Sequence, residues 1–118
     1  MLPSERDSGL LWDMRAFAQE VLAFAEGHSL QDIESDLVLR RAVERDIEII
    51  GEAARQVSLE FQADHPEIPW QQIINQRNFL AHGYQKIDVA RLWDVIQSDL
   101  PILLDRLDSL IPPETRSR

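Results

Sequence analysis

A chain of 118 residues and 13.6 kDa has room for one domain with one hydrophobic core, which argues against an enzyme built from two lobes around a cleft. The hydrophobic content of 44% with only four glycines and six prolines indicates a folded helical domain, and the absence of cysteine excludes disulfides, thiolate nucleophiles and zinc–thiolate sites. The net charge of −9 argues against a surface that binds nucleic acid uniformly.

Neither an export signal nor a membrane span is predicted. The first thirty residues lack a basic start followed by a long apolar run, and no stretch approaches the ~18 apolar residues that a span needs. We therefore expect a cytoplasmic protein that forms a single domain over residues 1–118, with an ordered core of about residues 8–111.

The first predicted helix covers about residues 9–26. Asp7 or Ser8 is suited to cap its start, and Gly27 is suited to end it. Its apolar residues recur at steps of three and four, the spacing that aligns side chains on one helical face: Leu10, Leu11, Met14, Phe17, Ala18, Val21, Leu22 and Ala25.

A second and longer helix is predicted from about Leu37 to Phe61, after a polar connection over residues 28–35. Its apolar pattern is not interrupted by proline. Gly51 is its one weak point, because glycine costs about 1 kcal/mol relative to alanine inside a helix unless it permits close packing of another helix.

Several charged and titratable side chains are predicted to be solvated. Arg40, Arg41 and Arg45 alternate with acidic residues along the second helix, which is typical of an ion-paired, solvated face. His28 and His65 fall in the connections between helices, and we expect both to be solvated as well.

Two prolines within four residues, Pro66 and Pro69, separate the second helix from a third helix of about residues 70–82. Asp88 resembles the N-cap of a fourth helix, which Pro101 should kink or divide. No alternation typical of strands persists anywhere in the chain. The predicted fold is therefore all-α, a four- to five-helix up-down bundle.

No metal site and no cofactor site is predicted. The three histidines, His28, His65 and His82, are far apart in sequence, and none belongs to a two-histidine helical pair. The glycines are isolated, so the chain has no Gly-rich phosphate loop, and it has no Gly-x-Ser-x-Gly elbow. The third helix and its exit remain as the candidate site.

The charge pattern also points to this segment. The chain has 21 acidic residues, but none occurs from Ile68 to Ile87, a window that holds Arg77, His82 and Lys86. One interpretation is a chance gap in an acidic sequence. The other, which we adopt, is a local electropositive site on an otherwise acidic body.

Helical geometry leaves open how the polar residues of this segment meet. At ~100° per residue, Asn78 and His82 share one face, whereas Arg77 and His82 lie ~140° apart on an ideal helix. Arg77 and His82 of one chain converge if the last helical turn distorts before Gly83. Alternatively, a two-fold partner supplies a second Arg/His set across an interface. We favour the second interpretation.

The segment Arg77-Asn78-Phe79-Leu80-Ala81-His82-Gly83-Tyr84 resembles the Arg-x4-His-x-Tyr motif of HEPN-domain toxins of the HepT type. The likeness extends over about residues 10–110. The neighbouring segments that match this subfamily in order and spacing are residues 49–54, 68–74, 87–88, 92–93 and 99–101.

This resemblance implies a HEPN-like fold and a metal-independent endoribonuclease that acts without a cofactor, as a homodimer. The Arg and His residues of both protomers would line one cleft and cleave RNA to 2′,3′-cyclic phosphate ends. His82 would serve as the base or the acid, Arg77 would stabilise the charge on the phosphoryl oxygens, and Asn78 would orient His82 or bind phosphate.

The resemblance also implies a protein partner, a small MNT-type nucleotidyltransferase antitoxin. In this subfamily the partner adds AMP to the tyrosine at the position of Tyr84 and so silences the toxin. A bulky anionic group two residues from His82 would block the cleft and repel RNA.

One alternative from another functional class keeps the same fold and interface. In this hypothesis the chain is a non-catalytic helical dimer that docks onto the nucleotidyltransferase and assists its substrate binding. Such a module has no need of Arg77 and His82 on a polar face, so these two residues distinguish the hypotheses. A third hypothesis is a purely structural dimer unrelated to RNA.

Overall fold

The computed structural model describes residues 3–81 and 88–111, of which residues 78–81 are described by their backbone alone. These ranges contain no strand, so the predicted all-α class is confirmed. A π-helical turn, Val95–Asp99, joins the last two of the α-helices, which in chain order are α1 (Glu5–Ala25), α2 (Leu30–Ser35), α3 (Leu37–Gln56), α4 (Leu59–Asp64), α5 (Trp70–Ala81), α6 (Val89–Asp94) and α7 (Leu100–Leu110).

The long helices form the predicted bundle around one apolar core. Helix α3 packs against α1 on one side and α5 on the other, and α7 packs against α1. In the described part of the chain, no helix combines the length and the apolar character that crossing a membrane requires. The largest fully buried side chains are Phe61, Leu11, Met14, Ile33, Ile50, Ile68, Ile96 and Leu107.

Helix α1 begins earlier than its apolar pattern predicts. Ser4 is its N-cap and accepts a hydrogen bond from the Asp7 N–H at 3.1 Å, so the predicted caps Asp7 and Ser8 are wrong. Asp7 is instead buried, and its carboxylate accepts from the N–H and the hydroxyl of Ser58 at 3.0 and 2.7 Å. Gly27, with φ of +77°, follows the end of the helix as predicted.

Helix α3 is shorter than predicted, because the chain leaves the helical conformation at Val57. Ser58 then caps α4 by accepting from the Phe61 N–H at 3.2 Å. A serine that caps a new helix and also donates to a buried carboxylate stabilises a break in an otherwise continuous apolar pattern. Of the residues predicted to extend this helix, Val57 and Ser58 therefore form the connection and residues 59–61 belong to α4.

Pro101 divides the last long helix, as predicted. A proline lacks the N–H that would continue the hydrogen-bond ladder, and its ring crowds the carbonyl four residues earlier. The chain responds with one widened turn, in which the Leu100 N–H donates to the Val95 carbonyl. Helices α6 and α7 thus continue in one direction with a π-helical turn between them.

The arginine-rich face of α3 is ion-paired, as predicted, but it is not solvated throughout. Arg41 lies 2.8 Å from Glu44, and Arg45 lies 3.3 Å from Glu48. Glu44 and Asp46 are buried, with 7% and 6% of their surface exposed. The predicted solvated face is therefore wrong for these two acids.

The two histidines of the connections differ. His28 is exposed beside Asp32, as expected. His65 is half-buried, its ring centroid lies 4.3 Å from that of Phe61, and its Nδ1 lies 3.1 Å from the Glu67 carboxylate. The prediction of a solvated His65 is wrong, because the short helix α4 places Phe61 under its ring.

Asp46 should make the stability of the fold depend on pH. Burial, and then the negative charge of Glu20 on α1, raise the pKa of Asp46 from 3.8 to about 6. Because the pKa is higher in the folded state, the protonated carboxyl of Asp46 contributes stability to the fold. This contribution is complete below pH 3.8 and is lost as the pH rises through about 6. We expect Asp46→Asn to exceed wild type in free energy of unfolding by roughly 1–3 kcal/mol at pH 8, and to match it near pH 4.

Urea denaturation of both proteins from pH 4 to pH 8 measures this difference. Asp105→Asn, which removes an exposed carboxylate from α7, controls for the loss of one negative charge. A constant difference between Asp46→Asn and wild type over the whole pH range would contradict the assignment.

Candidate active site

Arg77 lies on α5 at a point of very close contact with α3. A Cβ atom built on Gly51 would lie 2.1 Å from the Arg77 Cβ and 3.0 Å from the backbone oxygen of Ile73. No residue other than glycine fits there without moving α5. The sequence leaves open whether Gly51 weakens α3 or permits close packing, and the structure shows the close packing.

A carboxylate of α3 binds the guanidinium of Arg77. Arg77 Nη2 lies 3.3 Å from Glu52 Oε2. Glu52 is bound in turn by Arg55, whose Nη2 lies 2.6 Å from Oε1, and by Gln56, whose amide donates to Oε1 at 3.2 Å. The hydrogen bond from Arg55, supported by the charges of Arg55 and Arg77, holds the pKa of Glu52 below its ordinary value despite partial burial.

These side chains line one wall of a groove of about 380 Å³ between α1, α3 and α5, which we call the Arg77 groove. Its charged residues are three carboxylates and two guanidiniums, so its described lining carries one net negative charge: Asp13, Arg45, Glu48, Glu52 and Arg77. Of the basic residues in the predicted electropositive window, the structure describes only Arg77; His82 and Lys86 lie outside the described residues. Arg77 contacts Glu52 of α3 and shares its groove with Glu48 of α3 and Asp13 of α1.

A second side of α5 is fixed to the π-helical turn. The amides of Gln72 and Gln76 each donate to Asp99 Oδ2 at 3.3 Å. These two glutamines are one helical turn apart, so they present a short polar edge to Asp99. Helix α5 is therefore held by α3 at Arg77 and by the π-helical turn at Asp99.

The structure describes only part of the predicted site. Asn78 lies in α5 directly after Arg77, and its side chain is outside the described residues, as are His82 and Tyr84 altogether. Helix α5 stays regular from Arg77 through Ala81. The described residues thus bring Arg77 together with Glu52.

Glu52 is the site residue that reasoning from the sequence missed. Its spacing to Arg55 and Gln56 predicts contacts within one helix, but no local pattern indicates the contact with Arg77 on another helix. Two signals pointed to its surroundings: the neighbouring Gly51, which allows α5 to approach, and the match of residues 49–54 to the HepT-type subfamily. Among residues 3–81 and 88–111 no three acidic or histidine side chains converge to hold a metal ion.

Comparisons with known proteins identify the family. The family model described as Ribonuclease HepT-like matches residues 14–110. A putative RNase of Methanocaldococcus jannaschii is 34% identical over 99 residues, which are 83% of this chain and 91% of the relative. A probable ribonuclease HepT of Thermococcus cleftensis is 33% identical over 100 residues, which are 85% of this chain and 91% of the relative.

A putative RNase of Caldanaerobacter subterraneus subsp. tengcongensis is 34% identical over 89 residues, which are 75% of this chain and 80% of the relative. No solved structure matches this chain. The family match confirms the predicted resemblance and the predicted enzyme class, an endoribonuclease. The chain therefore belongs to the HepT-like ribonuclease family.

Proposed function

We propose that this protein is the toxin of a toxin–antitoxin pair and cleaves RNA in the cytoplasm, as a homodimer and without a metal ion. One observation carries the proposal. In a chain of the HepT-like ribonuclease family, α5 presents Arg77, the first residue of the motif, on the wall of a groove and holds it there against α3.

The motif supplies the groups that this reaction needs. A histidine titrates near neutral pH, so His82 removes the proton from a ribose 2′-hydroxyl or donates a proton to the leaving oxygen. The 2′-oxygen attacks the phosphorus, the bond to the 5′-oxygen breaks, and a 2′,3′-cyclic phosphate and a 5′-hydroxyl result. Arg77 stabilises the charge on the phosphoryl oxygens, and Asn78 orients His82 or binds phosphate.

Two features of the described residues support a site shared by two protomers. The described lining of the Arg77 groove carries one net negative charge, so a single protomer offers a weak site for a phosphodiester. Helix α5 is regular through Ala81, so no distortion between Arg77 and Ala81 turns position 82 toward Arg77. A two-fold partner would bring a second Arg77 and a second His82 to the same phosphodiester, which doubles the groups that can bind and cleave it.

We propose further that an MNT-type nucleotidyltransferase is the antitoxin and transfers AMP to the hydroxyl of Tyr84. The transfer would place an anionic, bulky group two residues from His82. Because RNA is itself anionic, the modified site would repel the substrate as well as obstruct it.

A direct test is to incubate purified protein with RNA in excess EDTA and to identify the ends of the products. We expect internal cleavage with 2′,3′-cyclic phosphate and 5′-hydroxyl ends, because the reaction uses protein groups only. Incubation with the nucleotidyltransferase and ATP should then add the mass of AMP to the Tyr84 peptide and stop cleavage. Intact RNA in the absence of the partner would contradict the proposal.

A second candidate, the non-catalytic dimer that assists a nucleotidyltransferase, is favoured by two observations. Arg77 already has a carboxylate partner, and acidic residues outnumber basic ones among the described groove residues. For this candidate we expect no cleavage of RNA, but a faster reaction of the nucleotidyltransferase when the chain is bound to it.

A further inference from the structure

We infer that Glu52 is a positioning residue of the ribonuclease site, whose carboxylate sets the orientation of the Arg77 guanidinium. The inference rests on the proposed function, because orientation of Arg77 matters for catalysis only if Arg77 acts on the scissile phosphate. Glu52 itself need not touch the RNA. It acts through the arginine.

The side chain of Arg77 is fixed near both of its ends. At the backbone, its Cβ packs directly against Gly51, so the start of the side chain cannot move toward α3. At the guanidinium, Nη2 lies 3.3 Å from Glu52 Oε2. Gly51 and Glu52, which hold the two ends of the side chain, are adjacent on α3. A guanidinium has a planar, rigid fork of donors, so fixing one of its nitrogens largely fixes the direction of the others.

Glu52 is itself held firmly enough to serve this purpose. Arg55 and Gln56, three and four residues further along α3, bind the same carboxylate, with Arg55 Nη2 at 2.6 Å and the Gln56 amide at 3.2 Å from Oε1. Arg55 also donates from Nε to Oε2 at 3.4 Å, so Oε1 is engaged within α3 and Oε2 is shared between Arg55 of α3 and Arg77 of α5. The lowered pKa of Glu52 keeps the carboxylate ionised at neutral pH.

This arrangement predicts a specific kinetic effect. A negative charge beside Arg77 disfavours the binding of RNA, because carboxylate and phosphate repel each other. The same carboxylate favours the chemical step, because a preorganised donor stabilises the transition state better than a mobile one. Loss of Glu52 should therefore lower kcat without raising KM.

The test compares Glu52→Gln with a matched variant, Glu48→Gln. Glu48 lies one turn earlier on α3, lines the same Arg77 groove and is bound by Arg45 at 3.3 Å. Both variants remove one negative charge from the groove. We expect KM for an RNA substrate to stay the same or fall in both, and kcat to fall about ten- to hundredfold in Glu52→Gln alone.

Two further results separate positioning from a general structural role. In an Arg77→Ala background, Glu52→Gln should cause no additional loss of kcat, because the group that it positions is absent. Thermal unfolding of Glu52→Gln should stay close to that of wild type. Equal kcat in Glu52→Gln and Glu48→Gln, or independent losses in the double variant, would overturn the inference.

A measurement that needs no activity distinguishes failure of this inference from failure of the proposed function. The measurement is an NMR spectrum of protein labelled with ¹⁵N-arginine, in which the Nε–Hε signal of Arg77 is assigned by its loss in Arg77→Ala. This signal should be resolved and protected from exchange with water in wild type and in Glu48→Gln. In Glu52→Gln it should be averaged with the signals of mobile arginines. If wild type does not cleave RNA, the ribonuclease proposal fails, and this signal still decides whether Glu52 holds Arg77. The same signal in all three proteins overturns the inference.

Discussion

Replacing Gly51 with alanine is expected to lower the free energy of unfolding by about 2–3 kcal/mol, opposite to the usual effect of this substitution in a helix. Alanine ordinarily stabilises a helix interior by about 1 kcal/mol relative to glycine. Here the added methyl group would lie 2.1 Å from the Arg77 Cβ and 3.0 Å from the Ile73 oxygen, atoms next to or within the backbone of α5. The helix must move away, which separates α5 from the core.

Gly9→Ala is the matched control for this prediction. Gly9 also lies inside a helix, α1, but a Cβ built there has no neighbour within 4 Å. It should raise stability by up to about 1 kcal/mol. Thermal unfolding measures both changes, and we expect Gly51→Ala to unfold roughly 10 °C below wild type. A Gly51→Ala protein that is as stable as Gly9→Ala would contradict the close contact of α3 with α5.

Arg77→Ala is expected to reduce RNA cleavage by at least about a hundredfold, mainly through kcat. The variant removes the guanidinium from both protomers of the proposed dimer, and with it the charge that stabilises the phosphoryl oxygens. Arg77→Lys should recover little of the activity, because an ammonium group does not reproduce the planar fork.

His82→Ala should be inactive for a different reason, the loss of a proton-transferring group.

Arg41→Ala is the control for loss of an arginine from an exposed helical face. Arg41 is paired with Glu44 on α3 and does not line the Arg77 groove. Initial rates of cleavage of one fluorescent RNA, measured for folded variants of the same oligomeric state, compare the proteins. Equal residual cleavage by wild type, Arg77→Ala and His82→Ala would favour the non-catalytic module.

The helices could be predicted from the sequence because each amphipathic helix repeats its apolar residues at helical spacing. The ends of the helices depended on contacts that no local pattern contains. Helix α3 stops at Gln56 because Ser58 caps α4 and also binds Asp7, a residue of the first helix. Periodicity alone therefore extended α3 to Phe61.

The candidate site shows the same division. The motif beginning at Arg77 and the family could be found from the sequence, since they rest on residue types in a fixed order. The acidic neighbours of Arg77 could not be predicted from this segment, because the charge of a site is the sum over elements that meet in space. Glu52 and Glu48 of α3 decide that sum for the described residues. His82 and Tyr84 lie outside the described residues, and their roles stay predictions.

The π-helical turn sets the rotational register of the last helix with respect to the ribonuclease motif. One extra residue in a turn rotates everything that follows by ~100° about the helix axis. Asp99 lies in that turn and anchors Gln72 and Gln76 of α5. Insertions or deletions between Val95 and Asp99, in a segment remote from Arg77 in sequence, would therefore swing the Asp99 carboxylate away from both amides and release one side of the helix that carries the motif.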